Sequence, residues 1–280
     1  MRDLRYQTFL KAVELGNLTK TAEQLGYTQP AVSRMISELE REWGITLFTR
    51  SRTGVCLTSD GAYLLPHIRM VCNAQSNLAE HIDRLHGLTS GTIRVGTFMA
   101  VALHWLPKMI RTFQEQYPHI EFQIKSCLEY CEVEQWITQG VVDCGFLTLP
   151  LSEASSVLHT QFLHRDPLLA LLPENHPLAA AEVYPISRFA QDPFIQLYEE
   201  KDRDSADLFQ KFGFSVVPQY VSENGNVVMS MVESSLGVGL SNEMMLNKVS
   251  YSIVPKELDP PQFRDIAIAS RPLEQVSPAT

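Results

Sequence analysis

The sequence predicts a chain of two unlike parts: a small α+β module at the N-terminus and a larger α/β domain, joined by one long helix. Three observations carry this. Apolar residues recur at three- and four-residue steps up to Leu39, then again from Thr58 to His86. From Thr92 onward, short apolar runs alternate with helical stretches, the pattern of strands connected by helices. A short polar linker, Leu88-Thr89-Ser90-Gly91, separates the long helix from these alternating elements. The boundaries read as 1–57, 58–88 and 89–280.

In the first module, Asp3 is a cap candidate for a helix with Phe9, Leu10 and Val13 on one face, ended by Gly16. A second short helix spans Thr19 to Leu25, with Ala22 and Leu25 inward. Gly26-Tyr27-Thr28 breaks it and offers Thr28 as the next cap. Pro30 falls in the first turn of the third helix, where its missing N–H costs nothing. That helix sets Val32, Met35, Ile36 and Leu39 in one apolar stripe and leaves Gln29, Ser33, Arg34, Ser37 and Arg41 on the other face. Two short helices around a glycine turn, the second with a polar outer face, make either a helix-turn-helix or a plain three-helix bundle with a solvated polar face. Gln pairs bidentately with adenine, Arg with guanine, and Ser with either. The runs Ile45–Phe48 and Val55–Leu57 flank Thr49-Arg50-Ser51-Arg52-Thr53-Gly54, a basic turn that reads as a wing with Arg50 and Arg52 at phosphates.

Charge sharpens this reading. The net charge is −9, yet residues 1–57 hold eight Lys/Arg against six Asp/Glu. Residues 58–88 hold two against three, and the rest 13 against 23. The acidity therefore lies away from the module that would meet phosphates, where it favours solubility. A hydrophobic content of 45% with 20% charged residues excludes disorder. No apolar run reaches the roughly 18 residues of a membrane span. Polar residues interrupt the N-terminus early, so a signal peptide is not expected and a cytoplasmic location is. The cysteines Cys56, Cys72, Cys127, Cys131 and Cys144 are odd in number and scattered, unlike a disulfide framework.

The order Phe9-x-x-Val13, Asn17-Leu18-Thr19-x-x-Ala22, Leu25, Thr28-Gln29-Pro30-Ala31-Val32-Ser33, Ile36-x-x-Leu39-Glu40, Gly44-Ile45-x-Leu47-Phe48, Arg50, Gly54-Val55-x-Leu57-Thr58 and Gly61 closely resembles the LysR-type regulators of bacterial transcription. The resemblance implies a winged helix-turn-helix with Gln29, Pro30, Ser33 and Arg34 at double-stranded DNA. With Thr28, Ser37, Arg50 and Arg52 they form the candidate DNA-binding set. Thr28 stands where the family often has Ser, and Thr21 where it often has Ala.

Between Thr58 and His86, Leu65, Ile68, Cys72 (or Val71), Gln75, Leu78, Ile82 and Leu85 repeat as an a/d-like seam, with Pro66 marking a kink or late start. Either this helix packs on its own domain or it pairs with a second copy. The resemblance favours antiparallel pairing, giving a homodimer or a homotetramer built from dimers. A two-fold protein then matches an inverted-repeat operator.

The resemblance extends more loosely through Arg94-Val95-Gly96, Leu106-Pro107, Phe113-x-x-x-Tyr117-Pro118, Gly140-x-x-Asp143, His176-Pro177-Leu178 and Gly237-x-Gly239. It implies a periplasmic-binding-protein-like domain of two subdomains, 89–163 with 264–280, and 164–263, crossing near 163–167 and 263–267. A small effector would lie between them, outside the carboxyl ends of parallel strands. Strand ends then nominate Thr97, Phe98, Met99, Ala100, Tyr130, Leu147, Thr148, Gln196, Tyr198, Asn224 and Asn226. Phe98 and Tyr130 stand where the family commonly has small hydroxyl residues. A narrower, more aromatic pocket suits a small or partly apolar effector, with carboxylates among the candidates, although each aromatic could equally be a core residue. The chain stops at Thr280, where the family usually begins a final helix, so a truncation or a missing helix is expected.

Other function classes find less support. No P-loop, GxSxG, HExxH or strand-borne GxGxxG occurs, so an enzyme is not expected. No cofactor or metal is expected either, because Cys127 and Cys131 lack partners at zinc spacing. A solute-binding protein, or a redox-responsive regulator using Cys127 and Cys131, are the alternatives.

Overall fold

A computed structural model describes residues 4–51, 54–85, 91–127, 130–198, 204–247, 250–277 and 279–280. The N-terminal module consists of α1 (Leu4–Leu15), α2 (Leu18–Leu25), α3 (Gln29–Trp43), β1 (Phe48–Ser51) and β2 (Gly54–Leu57). Asn17 caps α2, its Oδ1 accepting from Thr19 N at 2.9 Å and Lys20 N at 3.1 Å. Gly26 takes φ 70° at the turn between α2 and α3, a left-handed conformation that favours glycine. Phe9, Ala12, Leu18, Ala22, Val32, Ile36 and Leu39 close the core with Leu47, Phe48 and Val55. Glu40 fastens the ribbon to α3: its Oε1 accepts from Leu47 N at 2.8 Å and Phe48 N at 3.2 Å. Gly54, at φ +143°, lies so close to Gly16 O that a Cβ would collide with it. Val55 N donates to that same oxygen at 2.8 Å, so the ribbon is anchored at the α1–α2 corner. Asp3, the cap expected for α1, lies outside the described residues.

Helix α4 (Ser59–Leu85) is 27 residues long, about 40 Å at 1.5 Å per residue. It starts at Ser59, ahead of Pro66, so the late start does not occur. Thr58 accepts Gly61 N on its hydroxyl at 3.0 Å. The seam read from the sequence needs correction at its N-terminal end. Leu64, Leu65 and Ile68 pack on the first module's core. Among the described residues, the large apolar side chains that α4 leaves exposed are Tyr63, Met70, Val71, Leu78 and Ile82. The first turns of the helix are drawn onto its own module, and that rotates the free stripe.

The C-terminal domain runs β3 (Gly91–Phe98), α5 (Met99–His104), α6 (Leu106–Gln116), β4 (Ile120–Cys127), α7 (Tyr130–Thr138), β5 (Cys144–Leu149), β6 (His159–Pro173), β7 (Val183–Pro185), β8 (Ile195–Leu197), α8 (Asp204–Lys211), β9 (Tyr220–Ser222), α9 (Gly225–Glu233), β10 (Gly239–Asn242), α10 (Glu243–Leu246) and β11 (Ile253–Ser270). The main sheet is ordered β10-β6-β11-β5-β3-β4. Pairing is parallel for β3 with β4 and β5, and for β8 with β9. The long strands β6 and β11 are antiparallel to each other and to their flanking partners β10 and β5. The sheet is thus mixed, parallel across β3, β4 and β5 and antiparallel through β6 and β11. The two long strands β6 and β11 run past both halves of the domain as one antiparallel ladder, and period-two alternation carries no direction.

Each half has its own core. Ile93, Val95, Phe98, Val133, Ile137, Phe146, Leu147 and Ile266 pack around β3–β5. Ala170, Leu172, Tyr184, Phe189, Phe194, Phe209 and Leu258 fill the other half on one face, and Leu171, Ile195, Val228, Met229 and Val232 on the opposite face.

Candidate functional site

The polar face of α3 is the module's outer surface. Val32, Ile36 and Leu39 are fully buried, whereas Gln29, Pro30, Arg34 and Ser37 are exposed and Ser33 is half-buried. Thr28 uses its hydroxyl as the cap, accepting from Ala31 N at 3.4 Å. Arg34 is 82% exposed in its side chain and meets Glu38 one turn on, Nε to Oε1 at 3.0 Å. Arg50 does not stretch away from the module. Its guanidinium lies across α3, donating from Nη1 to Ser33 Oγ at 2.9 Å and from Nη2 to Ser37 Oγ at 3.3 Å. Arg52 lies outside the described residues.

In the C-terminal domain, the strand-end residues separate into two groups. Thr97, Phe98, Ala100 and Leu147 are buried and belong to the packed wall, because β3 and β5 are central strands covered on both faces. Met99, Tyr198, Asn224 and Asn226 are exposed, and Thr148 and Gln196 half-buried. Asn224 is committed to capping α9, with Oδ1 accepting from Asn226 N at 2.9 Å. Of Tyr130 only the backbone, at the start of α7, is described, and the side chain of Cys131 likewise lies outside the description.

Sequence reasoning missed the polar centre of this domain. Asp166 on β6 is 0% exposed and takes two bonds from Arg264 on β11, from Nε at 2.9 Å and Nη2 at 2.6 Å. Its other oxygen accepts Met244 N at 3.0 Å. The Arg264 guanidinium sits 4.9 Å from the Phe98 ring centroid, a cation–π contact. Asn242, 6% exposed, leaves its Nδ2 without a partner among the described residues. Nothing in a single sequence links two residues 98 positions apart on different strands. Beside this centre, Arg165 and Asp265 form a two-bond pair at 2.7 and 2.9 Å, and Lys211 Nζ donates to Gln262 Oε1 at 2.9 Å. With Leu149, Pro261 and Phe263 they line an open cavity of about 280 Å³.

A polar contact ties α4 to the same domain. Asn73 donates from Nδ2 to Gly140 O at 2.9 Å and accepts from Arg94 Nη2 at 3.1 Å. Arg94 is itself held by Asp143, from Nε at 3.0 Å and Nη2 at 2.6 Å. Arg271 approaches the same carboxylate at 3.7 Å. Burial holds the Arg271 guanidinium below the ordinary arginine value, against the favourable charge of Asp143. Asn77 donates to Gln275 O at 3.2 Å one turn further along α4.

Among the described residues, no helix is long and apolar enough to cross a membrane, and no group of three or more His, Cys, Asp or Glu could hold a metal.

Comparison with known proteins follows this division of the chain. Residues 2–62 match the family described as bacterial regulatory helix-turn-helix protein, lysR family, and residues 86–280 match the LysR substrate binding domain. The HTH-type transcriptional regulator YvbU of Bacillus subtilis (strain 168) is 30% identical over 97% of this chain and 92% of its own length. A full-length OxyR variant from Pseudomonas aeruginosa superposes with a TM-score of 0.78, covering 97% of this chain and 89% of its own, at 21% identity. Full-length CbnR in complex with its target DNA gives 0.68, covering 100% and 96%, at 15% identity. At such identities the two structures bear on the fold alone. The relatives are transcription regulators and not enzymes. The chain belongs to the LysR family of transcription regulators, with a DNA-binding helix-turn-helix followed by an effector-binding domain.

Proposed function

We propose that this regulator binds an inverted-repeat operator as a homodimer or as a tetramer of two dimers, in the cytoplasm, through Thr28, Gln29, Pro30, Ser33, Arg34, Ser37, Arg50 and Arg52. The division of α3 into a buried stripe and an exposed polar face supports this most directly. Phosphate contacts alone should retard nonspecific duplex at low salt. A gel-shift with the chain's own promoter region tests the reading, and absence of any retarded complex overturns it.

Pairing proceeds through α4, whose exposed Tyr63, Met70, Val71, Leu78 and Ile82 form a stripe that lacks cover within the protomer. The units joined are 1–57, 58–88 and 89–280, the last split into subdomains at the β6 and β11 ribbons.

The effector is a small, partly apolar carboxylate lying between the subdomains. Met99, Thr148, Gln196 and Tyr198 offer it a mixed surface, with Thr97, Phe98, Ala100, Tyr130, Leu147, Asn224 and Asn226 around them. Calorimetry of the full-length chain against a panel of metabolic acids tests this, and heat with large neutral sugars only would overturn it.

A further inference from the structure

The placement of Arg50 suggests a task different from a backbone contact. The residue sits on β1, in the ribbon that flanks the helix-turn-helix, where an arginine would ordinarily meet phosphates. Its guanidinium instead lies on α3, between two hydroxyls one helical turn apart. We propose that Arg50 is a base-reading residue that selects a guanine in each operator half-site, held in place by Ser33 and Ser37. This rests on α3 being the helix that enters the major groove.

The chemistry of the group sets the class of base. A guanidinium has five N–H donors and no acceptor. Nη1 and Nη2 each give one hydrogen to a serine. Three hydrogens remain, one on each nitrogen, and those on Nε and Nη2 are two parallel donors on one edge. Arg94, Arg165 and Arg264 use this same Nε–Nη2 edge on their carboxylates. Each serine oxygen accepts one hydrogen from Arg50, which orients the guanidinium and leaves the hydroxyl a hydrogen and a second lone pair. The free guanidinium edge therefore presents donors only. Guanine alone offers two acceptors, O6 and N7, on its major-groove edge, while adenine places a donor beside N7 and cytosine presents a donor. Preorganisation adds to selectivity, because the side chain is ordered before DNA arrives.

Selection of bound duplexes from a randomised pool, with the full-length wild type and with Arg50→Lys, Arg50→Ala, Gln29→Ala and Arg34→Ala, tests this. We expect wild-type sites to carry a guanine at one fixed position per half-site. Arg50→Lys and Arg50→Ala should each lower the preference for that guanine about fivefold to 150-fold, the range of one bidentate base contact. Arg50→Lys should keep the salt dependence, since its charge remains. The proposal is overturned if Arg50→Lys selects as wild type does while Arg50→Ala loses affinity uniformly and reduces the salt slope by about one, the signature of a phosphate contact. Selected half-sites without any such guanine overturn it too. If Gln29→Ala and Arg34→Ala leave selection unchanged, α3 is not the reader and the underlying assignment fails separately.

Discussion

Single side chains hold both halves of this protein together at points where apolar packing alone would leave the geometry loose. Glu40 receives two backbone N–H groups and so fixes the ribbon on which Arg50 is carried. Asp166 does the same for the ribbons β6 and β11. It is fully buried and faces an almost fully buried Arg264. Removing one partner of such a pair strands the other, which costs about 3–5 kcal/mol. We therefore expect Asp166→Asn to lower stability by that amount in urea titrations, and a loss below about 1 kcal/mol would contradict the pairing. Cys144 makes a prediction about pH. Burial, then the charge of Asp143, pushes its thiol up from 9.0 to about 12. The folded state thus holds this proton more tightly than the unfolded chain does. The contribution is complete below 9.0 and is lost as pH rises towards 12. Wild type should lose more stability than Cys144→Ala between neutral pH and pH above 9.0, and equal losses would refute the shift. Alkylating reagents should reach the exposed Cys56 before Cys144.

At the scale of elements, α4 has three obligations along its length. Its first turns complete the N-terminal core, its middle contacts the effector domain through Asn73, and an exposed stripe faces outward. Charge on that stripe should break self-association without unfolding the chain, because Leu78 is 61% exposed. The Leu78→Glu, Ile82→Glu variant should sediment as a monomer at micromolar concentration, while far-ultraviolet dichroism stays as in wild type. An unchanged oligomer would place the interface elsewhere. The Asn73 contact makes a different prediction. It joins α4 to Gly140 and, through Arg94, to Asp143 in the effector domain. A ligand moves an equilibrium only through a difference in affinity between two states. If Asn73 carries that difference to α4, Asn73→Ala should bind effector as wild type does in calorimetry. It should lose most of the effector-induced change in operator affinity. Full retention of that change would exclude this route.

For the whole molecule, the mixed sheet decides what can move. Parallel strands confine each half to a compact core, whereas β6 and β11 run through both halves as one antiparallel ladder. A closure of the two halves would have to bend this ladder, on which the Asp166–Arg264 pair lies. An effector lying between the halves, as proposed, would act at the place where they join. The weak positive charge of the N-terminal module has a consequence at this scale as well. Each protomer gains little from phosphates, so the proposed joining of copies through α4 would multiply affinity by raising effective concentration. We expect the monomeric α4 variant to bind a full operator at least about tenfold more weakly than wild type in the same salt. Equal binding would show that one module suffices.

Much of the helix-turn-helix was legible because its signals are local: a cap, a glycine turn, a proline in a first turn and a stripe at helical spacing all lie within a few residues of one another. The length of α4 and the alternation of strands and helices were readable for the same reason. The sequence by itself determined that a polar face on α3 would stand opposite an apolar one, and that two domains would follow each other. Only the tertiary structure decided that Arg50 lies on Ser33 and Ser37, that Leu65 and Ile68 face their own module, and that Phe98 backs a buried Asp166–Arg264 pair. Those contacts join residues far apart in the chain, and a periodic pattern tells which face is buried but not what buries it.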